Sequence, residues 1–162
     1  MDLRQFHGKA SHIISIVDPG DAGSLPNMGI APERHLKIAC DDVESRAEAK
    51  AHERAWPGSR CVAPTRAMVA SALRFADKLT PLDNLVVHCM HGISRSPAIA
   101  FGILCQAHPD RPARELLFEL LRLRRHAVPN ELIVRHADEL LGREGTMIQT
   151  LEAYQNHPEK YQ

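Results

Sequence analysis

Three short apolar runs, each closed by a turn, constrain the fold of this chain more than any other feature. They cover residues 12–18, 35–40 and 84–89 and are rich in isoleucine, valine and leucine without strict alternation. Strands buried on both faces of a parallel sheet have this pattern. Because helical segments separate and follow these runs, the sequence predicts an α/β fold with a mostly parallel central sheet, flanked by helices in three layers.

Helical spacing of apolar residues predicts five helices. Asn130 is suited to cap the start of one of them and Gly142 to end it. Residues 21–32 are rich in glycine and proline and are expected to form a long loop. Residues 43–60 are rich in alanine and charge and are expected to form a surface helix or a mobile insertion. The predicted helices cover residues 64–79, 96–105, 113–124, 131–141 and 146–154.

Size and charge are those of an ordinary globular protein. The 162 residues suit one domain, with a core over residues 10–142 and a C-terminal helix and tail over residues 143–162. Twenty basic and twenty acidic residues leave no net charge, so neither nucleic acid nor an anionic membrane is an expected partner. No apolar run reaches the ~18 residues of a membrane span. The first twelve residues lack the apolar core of a secretory signal, so we expect a cytoplasmic protein, compatible with a monomer.

The four cysteines are widely spaced, and no two of them are separated by only two residues. This spacing disfavours both a disulfide framework and a cysteine-rich zinc site, so no metal or other cofactor is expected. Three of the four, Cys40, Cys61 and Cys105, are expected to be buried as small apolar side chains.

The stretch from His88 to Ser96 carries the chemistry that the sequence indicates. It reads His-Cys-Met-His-Gly-Ile-Ser-Arg-Ser, so a cysteine ends a buried strand and an arginine and a serine open an apolar helix. Backbone N–H groups of such a loop can surround an anion at the helix N-terminus, and the fork of Arg95 can bind two of its oxygens. The same positive surroundings would lower the pKa of the Cys89 thiol and make it a nucleophile.

This stretch resembles the signature of cysteine-dependent protein tyrosine phosphatases, His-Cys-x-x-Gly-x-x-Arg-Ser/Thr. The form from Gly92 to Pro97 is most similar to the dual-specificity branch and its small bacterial relatives. Weaker similarity in residues 35–42, 64–89 and 128–130 extends the resemblance over most of residues 10–142. The chain departs from the family in its longer segment between Asp42 and Cys89.

The resemblance implies a phosphatase that hydrolyses phosphomonoesters, with phosphotyrosine in proteins or peptides as the substrate and phosphoserine or phosphothreonine as further candidates. Cys89 would attack phosphorus and form a phosphocysteine, Ser96 would assist its departure, and His88 would orient the end of the strand. Arg95 and the loop would hold the phosphate oxygens. The remaining loop residues in that group are Met90, His91, Gly92, Ile93 and Ser94.

The resemblance also implies a carboxylic acid that protonates the leaving oxygen and then activates water. Asp42 matches the family position, at the loop after the second strand. Its neighbour Asp41 is the immediate rival, and Asp18 is a third candidate because it also ends a strand. Asn130 either braces the phosphate loop or serves only as a helix cap.

Two other functions stay open beside this one. His91 resembles the histidine in the loop of RNA 5′-triphosphatases, although their loop continues Arg-Thr-Gly where this chain has Arg95-Ser96-Pro97. That resemblance favours a phosphoanhydride or another non-protein substrate. The second alternative is a module on the same fold that binds phosphate without catalysis.

Two further features concern the rim of the loop. The basic residues that follow the loop are interpreted as the wet face of an amphipathic helix. The two tyrosines of the chain, Tyr154 and Tyr161, both come after the loop, so the upstream tyrosine of strictly tyrosine-specific phosphatases has no counterpart and the pocket is expected to be shallow and permissive. The basic residues are Arg111, Arg114, Arg122, Arg124 and Arg125.

Overall fold

The computed structural model describes residues 9–21 and 29–161 of the chain. The first eight residues, considered above for a secretory signal, lie outside the described residues, as do residues 22–28 of the expected loop over residues 21–32. The three strands are β1 (His12–Val17), β2 (His35–Ala39) and β3 (Leu85–His88). The helices are α1 (Arg46–Ala55), α2 (Arg66–Ala76), α3 (Arg95–Ala107), α4 (Ala113–Leu123), α5 (Glu131–Leu141) and α6 (Thr146–Asn156). Short 3-10 turns cover Pro19–Asp21, Pro32–Arg34 and Pro158–Tyr161.

The three described strands form one parallel sheet in the order β2-β1-β3. Ile14 of the central strand pairs in register with Leu36 on one side and Val87 on the other. The predicted α/β fold with a parallel sheet and flanking helices is confirmed. Because all strands run the same way, their carboxyl ends meet at one edge of the sheet, which is where parallel α/β proteins bind ligands.

The two faces of the sheet are covered differently. Ile14 and Ile16 of β1 belong to the main buried cluster, to which α2 to α6 contribute, whereas Ile13 packs with Ala10, Ile30 and Val86 on the other face. Ser15 lies on the same face as Ile13, because side chains alternate along a strand. This face therefore places a buried hydroxyl beneath the end of β3.

Capping side chains set the helix ends as the sequence indicates. Asn130 Oδ1 accepts from the backbone N–H of Ile133 at 3.0 Å, and α5 ends at Gly142 in the left-handed conformation. Thr65 caps α2 in the same way, through Met68 N at 3.3 Å. Within the segment over residues 43–60, Ser45 caps α1, so of the two structures expected for that segment the chain forms a helix.

The helix α3 runs through the main cluster and begins at Arg95. Its Phe101 is fully buried, and an added Cβ at Gly102 would lie 3.1 Å from Ala137 of α5, so the glycine allows α3 and α5 to approach closely. Met147 and Leu151 of α6 are also fully buried. The C-terminal helix therefore packs into the same cluster as the sheet. Among the described residues, no helix is both long and apolar enough to cross a membrane.

Three cysteines were expected to be buried outside the loop, and two of them are. Cys40 and Cys105 are 1% exposed, whereas Cys61 is only half-buried. The difference has a simple cause, because Cys40 follows a strand and Cys105 lies within α3, whereas Cys61 lies in the irregular segment between α1 and α2.

Candidate active site

The loop over residues 89–95 connects β3 to the start of α3. Gly92 within it has a φ of +67°, a conformation that other residues rarely adopt. A Cβ at this position would also lie 3.3 Å from Nη2 of Arg124. Glycine is therefore required here both for backbone conformation and for space.

Cys89 lies at the base of this loop with 4% of its surface exposed. Its Sγ is 3.3 Å from the hydroxyl oxygen of Ser96, in the first turn of α3. Burial by itself raises the pKa of the Cys89 thiol, but the Ser96 hydroxyl, the backbone at Ser96 and Gly92 and the charge of Arg95 together hold that pKa below its usual value. The surroundings thus favour a thiolate, the nucleophilic form of cysteine.

Arg95 is buried beneath the loop, and the hydrogen bonds described for its side chain are made by Nη1. Its Nη1 donates to Asp18 Oδ1 at 2.6 Å and to the carbonyl of Cys40 at 2.5 Å. Its Nε is buried and has no hydrogen-bond partner among the described residues. A buried donor left without an acceptor costs free energy, and a bound anion would remove that cost.

The two neighbouring aspartates point in different directions. Asp42 Oδ1 accepts from the Ser94 hydroxyl at 2.6 Å and from Asn130 Nδ2 at 3.0 Å, and its Oδ2 is 3.9 Å from Nε of Arg95. Asp41 Oδ2 instead accepts from the backbone N–H of Val62 at 2.6 Å. The structure thus places Asp42 beside the loop, whereas the Asp41 carboxylate is hydrogen-bonded to the segment that precedes α2.

Asn130 caps α5 and also forms hydrogen bonds to Asp42 and to the loop. Besides capping α5, its Nδ2 donates to Asp42 and to the carbonyl of Val43 at 3.1 Å, and its backbone N–H donates to the carbonyl of Ser94 at 3.2 Å. Asn130 is fully buried, so these hydrogen bonds are shielded from water. Asn130 therefore ties the start of α5 to the loop through its backbone and to Asp42 through its side chain.

His88 lies below the nucleophile and is part of a chain of polar side chains. Ser15 Oγ is 2.5 Å from His88 Nε2 and 2.8 Å from His35 Nε2, so the hydroxyl bridges the two rings. Burial lowers the pKa of His88 to about 4, and the ring is neutral at neutral pH. His88 is thus placed to orient the strand end as a neutral hydrogen-bonding group.

Arg124 was interpreted as part of the wet face of a helix, and it is exposed, but its guanidinium also contacts the loop. Its Nε donates to the carbonyl of Gly92 at 3.0 Å and its Nη2 to the carbonyl of His91 at 2.8 Å. Arg124 caps the end of α4, where the chain turns toward the loop. Helical periodicity predicts which face of α4 is wet, but it gives no information about a side chain beyond the last turn.

The rim of the loop is apolar. Met90 and Ile93 are 49% and 41% exposed, and the backbone N–H of Val128, itself 45% exposed, donates to the carbonyl of Ile93. Within residues 9–21 and 29–161, no three histidine, cysteine or carboxylate side chains lie close enough to share a metal ion. The site therefore brings a thiol, a buried guanidinium and a carboxylate together, and exposed apolar side chains border it.

Comparison with known proteins places this site on a known fold. No family model and no curated protein matches the chain. Its shape is similar to the structure of DUSP15, which is 22% identical, with 93% of this chain and 83% of that chain covered and a TM-score of 0.58. It is also similar to Tk-PTP in the active form (18% identity, 87% and 84% covered, TM-score 0.61) and to the human tyrosine phosphatase-like serine/threonine/tyrosine-interacting protein (18%, 88% and 82%, 0.59). The chain has the fold of dual-specificity and related tyrosine phosphatases, as the resemblance implies.

Proposed function

We propose that this protein is a cysteine-dependent phosphatase that hydrolyses phosphomonoesters, above all phosphotyrosine in proteins or peptides, through a phosphocysteine intermediate. The observation that carries the proposal is the pairing of Cys89, whose pKa is lowered, with a buried Arg95 whose Nε lacks a hydrogen-bond partner among the described residues. A phosphate is the ligand that satisfies the guanidinium and presents phosphorus to the thiolate.

In the first step, the Cys89 thiolate forms a bond to phosphorus while the bond from phosphorus to the ester oxygen breaks. Asp42, protonated, transfers its proton to that oxygen, so the alcohol leaves neutral. Arg95 and the N–H groups of the loop stabilise the charge that accumulates on the equatorial oxygens. Asp42 reaches the loop through Ser94 and Asn130, which supports its assignment as the acid.

In the second step, water attacks the phosphocysteine and the phosphorus–sulfur bond breaks. Asp42, now a carboxylate, accepts a proton from that water, and inorganic phosphate leaves. Ser96 lies 3.3 Å from the sulfur and donates a hydrogen bond to the thiolate as it forms. No metal or other cofactor is required by either step.

A module that binds phosphate without turnover is the second candidate. The observation that favours it is the position of Asp42, whose Oδ1 is engaged by hydrogen bonds from Ser94 and Asn130. The human relative on the same fold is named phosphatase-like and interacting, which gives this candidate a precedent in shape.

The deciding experiment compares turnover of phosphotyrosine, phosphoserine and phosphothreonine peptides, a phosphoinositide and a triphosphorylated RNA by the wild type and by Cys89→Ser. We expect turnover of the phosphotyrosine peptide, its loss in Cys89→Ser, and retained phosphate or vanadate binding by that variant. Arg95→Lys should also be inactive, because an ammonium group cannot replace a two-pronged donor.

Each other outcome has a defined meaning. Substantial turnover by Cys89→Ser would contradict the phosphocysteine. Phosphate binding without turnover of any substrate would support the non-catalytic module. Turnover of the triphosphorylated RNA alone would assign the protein to phosphoanhydride chemistry, for which exposed His91 is the supporting residue.

A further inference from the structure

A cleft of about 570 Å³ lies between α4 and the C-terminal segment, outside the phosphate loop. We name it the α4–α6 cleft. Its apolar lining is aromatic for the most part, with Phe118 from α4, Tyr154 from α6 and Tyr161 from the last turn. Its size is that of sites that receive one or two side chains or a small molecule.

One hydrogen bond and one cation–π contact hold the aromatic side chains of this cleft in place. The Tyr154 hydroxyl donates to the carbonyl of Ala127 at 2.9 Å. The guanidinium of Arg114 lies 5.5 Å from the centre of the Tyr161 ring, and Tyr161 is only 7% exposed. The wall is thus formed before any ligand arrives, which lowers the entropy that binding would cost.

The polar lining of the α4–α6 cleft carries one sign of charge. Arg122, Arg125 and His126 line it, and no aspartate or glutamate does. Among the described residues, neither Arg122 nor Arg125 takes part in a salt bridge, whereas Arg111 of the same region pairs with Glu115 and Glu119. Two guanidinium groups that form no salt bridge within the described part of the chain, beside an aromatic wall, match a ligand that is acidic and carries an apolar group.

The cleft and the phosphate loop share one short segment of chain. Arg124 and Val128 contact the loop, and the two residues between them that line the cleft are Arg125 and His126. The chain between Arg125 and Val128 spans at most about 11 Å, because successive Cα atoms are 3.8 Å apart. A peptide of about four extended residues covers the same distance.

We propose that the α4–α6 cleft binds an acidic segment of the phosphorylated substrate, with one aromatic or aliphatic side chain inserted against Tyr154 and Tyr161. This inference rests on the proposed function, because it assumes that the loop holds the phosphate of a peptide. It adds a second point of recognition, at which the sequence around the phosphotyrosine is selected by charge.

The test uses three phosphotyrosine peptides of equal length. Two carry the segment Asp-Asp-Phe-Glu, placed four residues before or after the phosphotyrosine, and the third carries Ser-Ser-Ala-Ser on both sides. We expect one acidic peptide to exceed the neutral peptide in kcat/KM by about tenfold, the effect of a few partly exposed ion pairs. The preference should shrink as salt is raised, because exposed charges are screened.

The double variant Arg122→Glu/Arg125→Glu should lose this preference. For each variant, the kcat/KM of every peptide is divided by the kcat/KM of p-nitrophenyl phosphate, which is too small to reach the cleft. Arg74→Glu is the matched control, since Arg74 is an exposed arginine of α2 outside the cleft, and it should keep the preference. Equal kcat/KM for all three peptides in the wild type, or a preference that survives the double variant, would overturn the proposal.

A separate binding measurement distinguishes failure of the cleft from failure of the proposed function. The unphosphorylated acidic peptide, labelled with a fluorophore, is titrated with Cys89→Ser and with Cys89→Ser/Arg122→Glu/Arg125→Glu. Binding to the first protein and not to the second supports the cleft even if no substrate is turned over. Equal binding to both proteins contradicts the cleft whatever the catalytic result.

Discussion

Different nitrogen atoms of the Arg95 guanidinium have different surroundings. Its Nη1 is held by Asp18 and by the carbonyl of Cys40, and this fixes the plane of the guanidinium while Nε is left for a ligand. Asp18 was the third candidate for the general acid. Its hydrogen bond to Arg95 favours a different role, in which Asp18 positions the arginine proposed to bind phosphate.

At the same scale, the choice between Asp42 and Asp41 can be tested directly. Asp42→Asn should lower kcat for a phosphotyrosine peptide by about 10²–10⁴-fold, the usual contribution of a general acid. The loss should be smaller for aryl phosphates with acidic leaving groups, because those need little protonation. Both effects are measured by steady-state kinetics on a series of leaving groups.

Asp41→Asn is the matched control. The asparagine keeps an oxygen that can accept from Val62 N, so folding and kcat should change little. A severe loss in Asp41→Asn together with a normal rate in Asp42→Asn would move the assignment to Asp41.

Elements were predicted well from the sequence where a cap or a turn marks their ends. The α5 helix begins after Asn130 and ends at Gly142 as expected, and the three strands lie within the apolar runs. Contacts between elements were harder to predict. The orientation of Asp41 toward Val62 and the hydrogen bonds from Arg124 to the loop depend on how distant segments pack, and periodicity contains no information on that. The position of Asp18 near the loop could have been predicted, because the ends of adjacent parallel strands meet at one edge of the sheet and Asp18 follows β1.

Asn130 both caps α5 and contacts Asp42, the proposed general acid, and the effects of these two contacts can be separated. Asn130→Ala should reduce the free energy of unfolding by about 1–2 kcal/mol through the lost cap. It should also lower kcat by roughly tenfold to a hundredfold, because Asp42 loses the donor that places it. Chemical denaturation and steady-state kinetics give the two values.

Thr65→Ala serves as the control for the cap alone. Thr65 caps α2 through Met68 N, and none of its hydrogen bonds within the described part of the chain reaches the loop. It should lower stability by about 1 kcal/mol and leave kcat unchanged. If both variants lowered kcat to the same extent, the effect of Asn130 would be one of stability only.

At the scale of the whole molecule, buried histidines make the stability depend on pH. Burial lowers the pKa of His88 to about 4, and it lowers the pKa values of His35 and His136 in the same direction. In the unfolded chain a histidine has a pKa near 6.5, so below that pH the unfolded state binds protons that the folded state does not. Stability should therefore fall as the pH is lowered from about 6.5 toward 4.

Urea unfolding between pH 7.5 and pH 5 measures this effect. The lowered pKa of His88, about 4, should by itself decrease the free energy of unfolding by on the order of 2 kcal/mol between pH 7.5 and pH 5. His88→Asn should flatten the dependence, whereas His157→Gln, which replaces an exposed ring, should leave it unchanged. A stability that stays constant over this range in the wild type would show that His88 is protonated in the folded state.

The hydrogen bonds of Asn130 to Asp42 and to the loop have a consequence for synthesis of the protein. Cys89 leaves the ribosome about forty residues before Asn130, whose side chain contacts Asp42. A nascent chain that ends between Arg95 and Asn130 contains the cysteine and the arginine but not the start of α5. Such a fragment lacks the contact that places Asp42, so the proposed catalytic arrangement would be completed only after α5 has been made and has packed against α3.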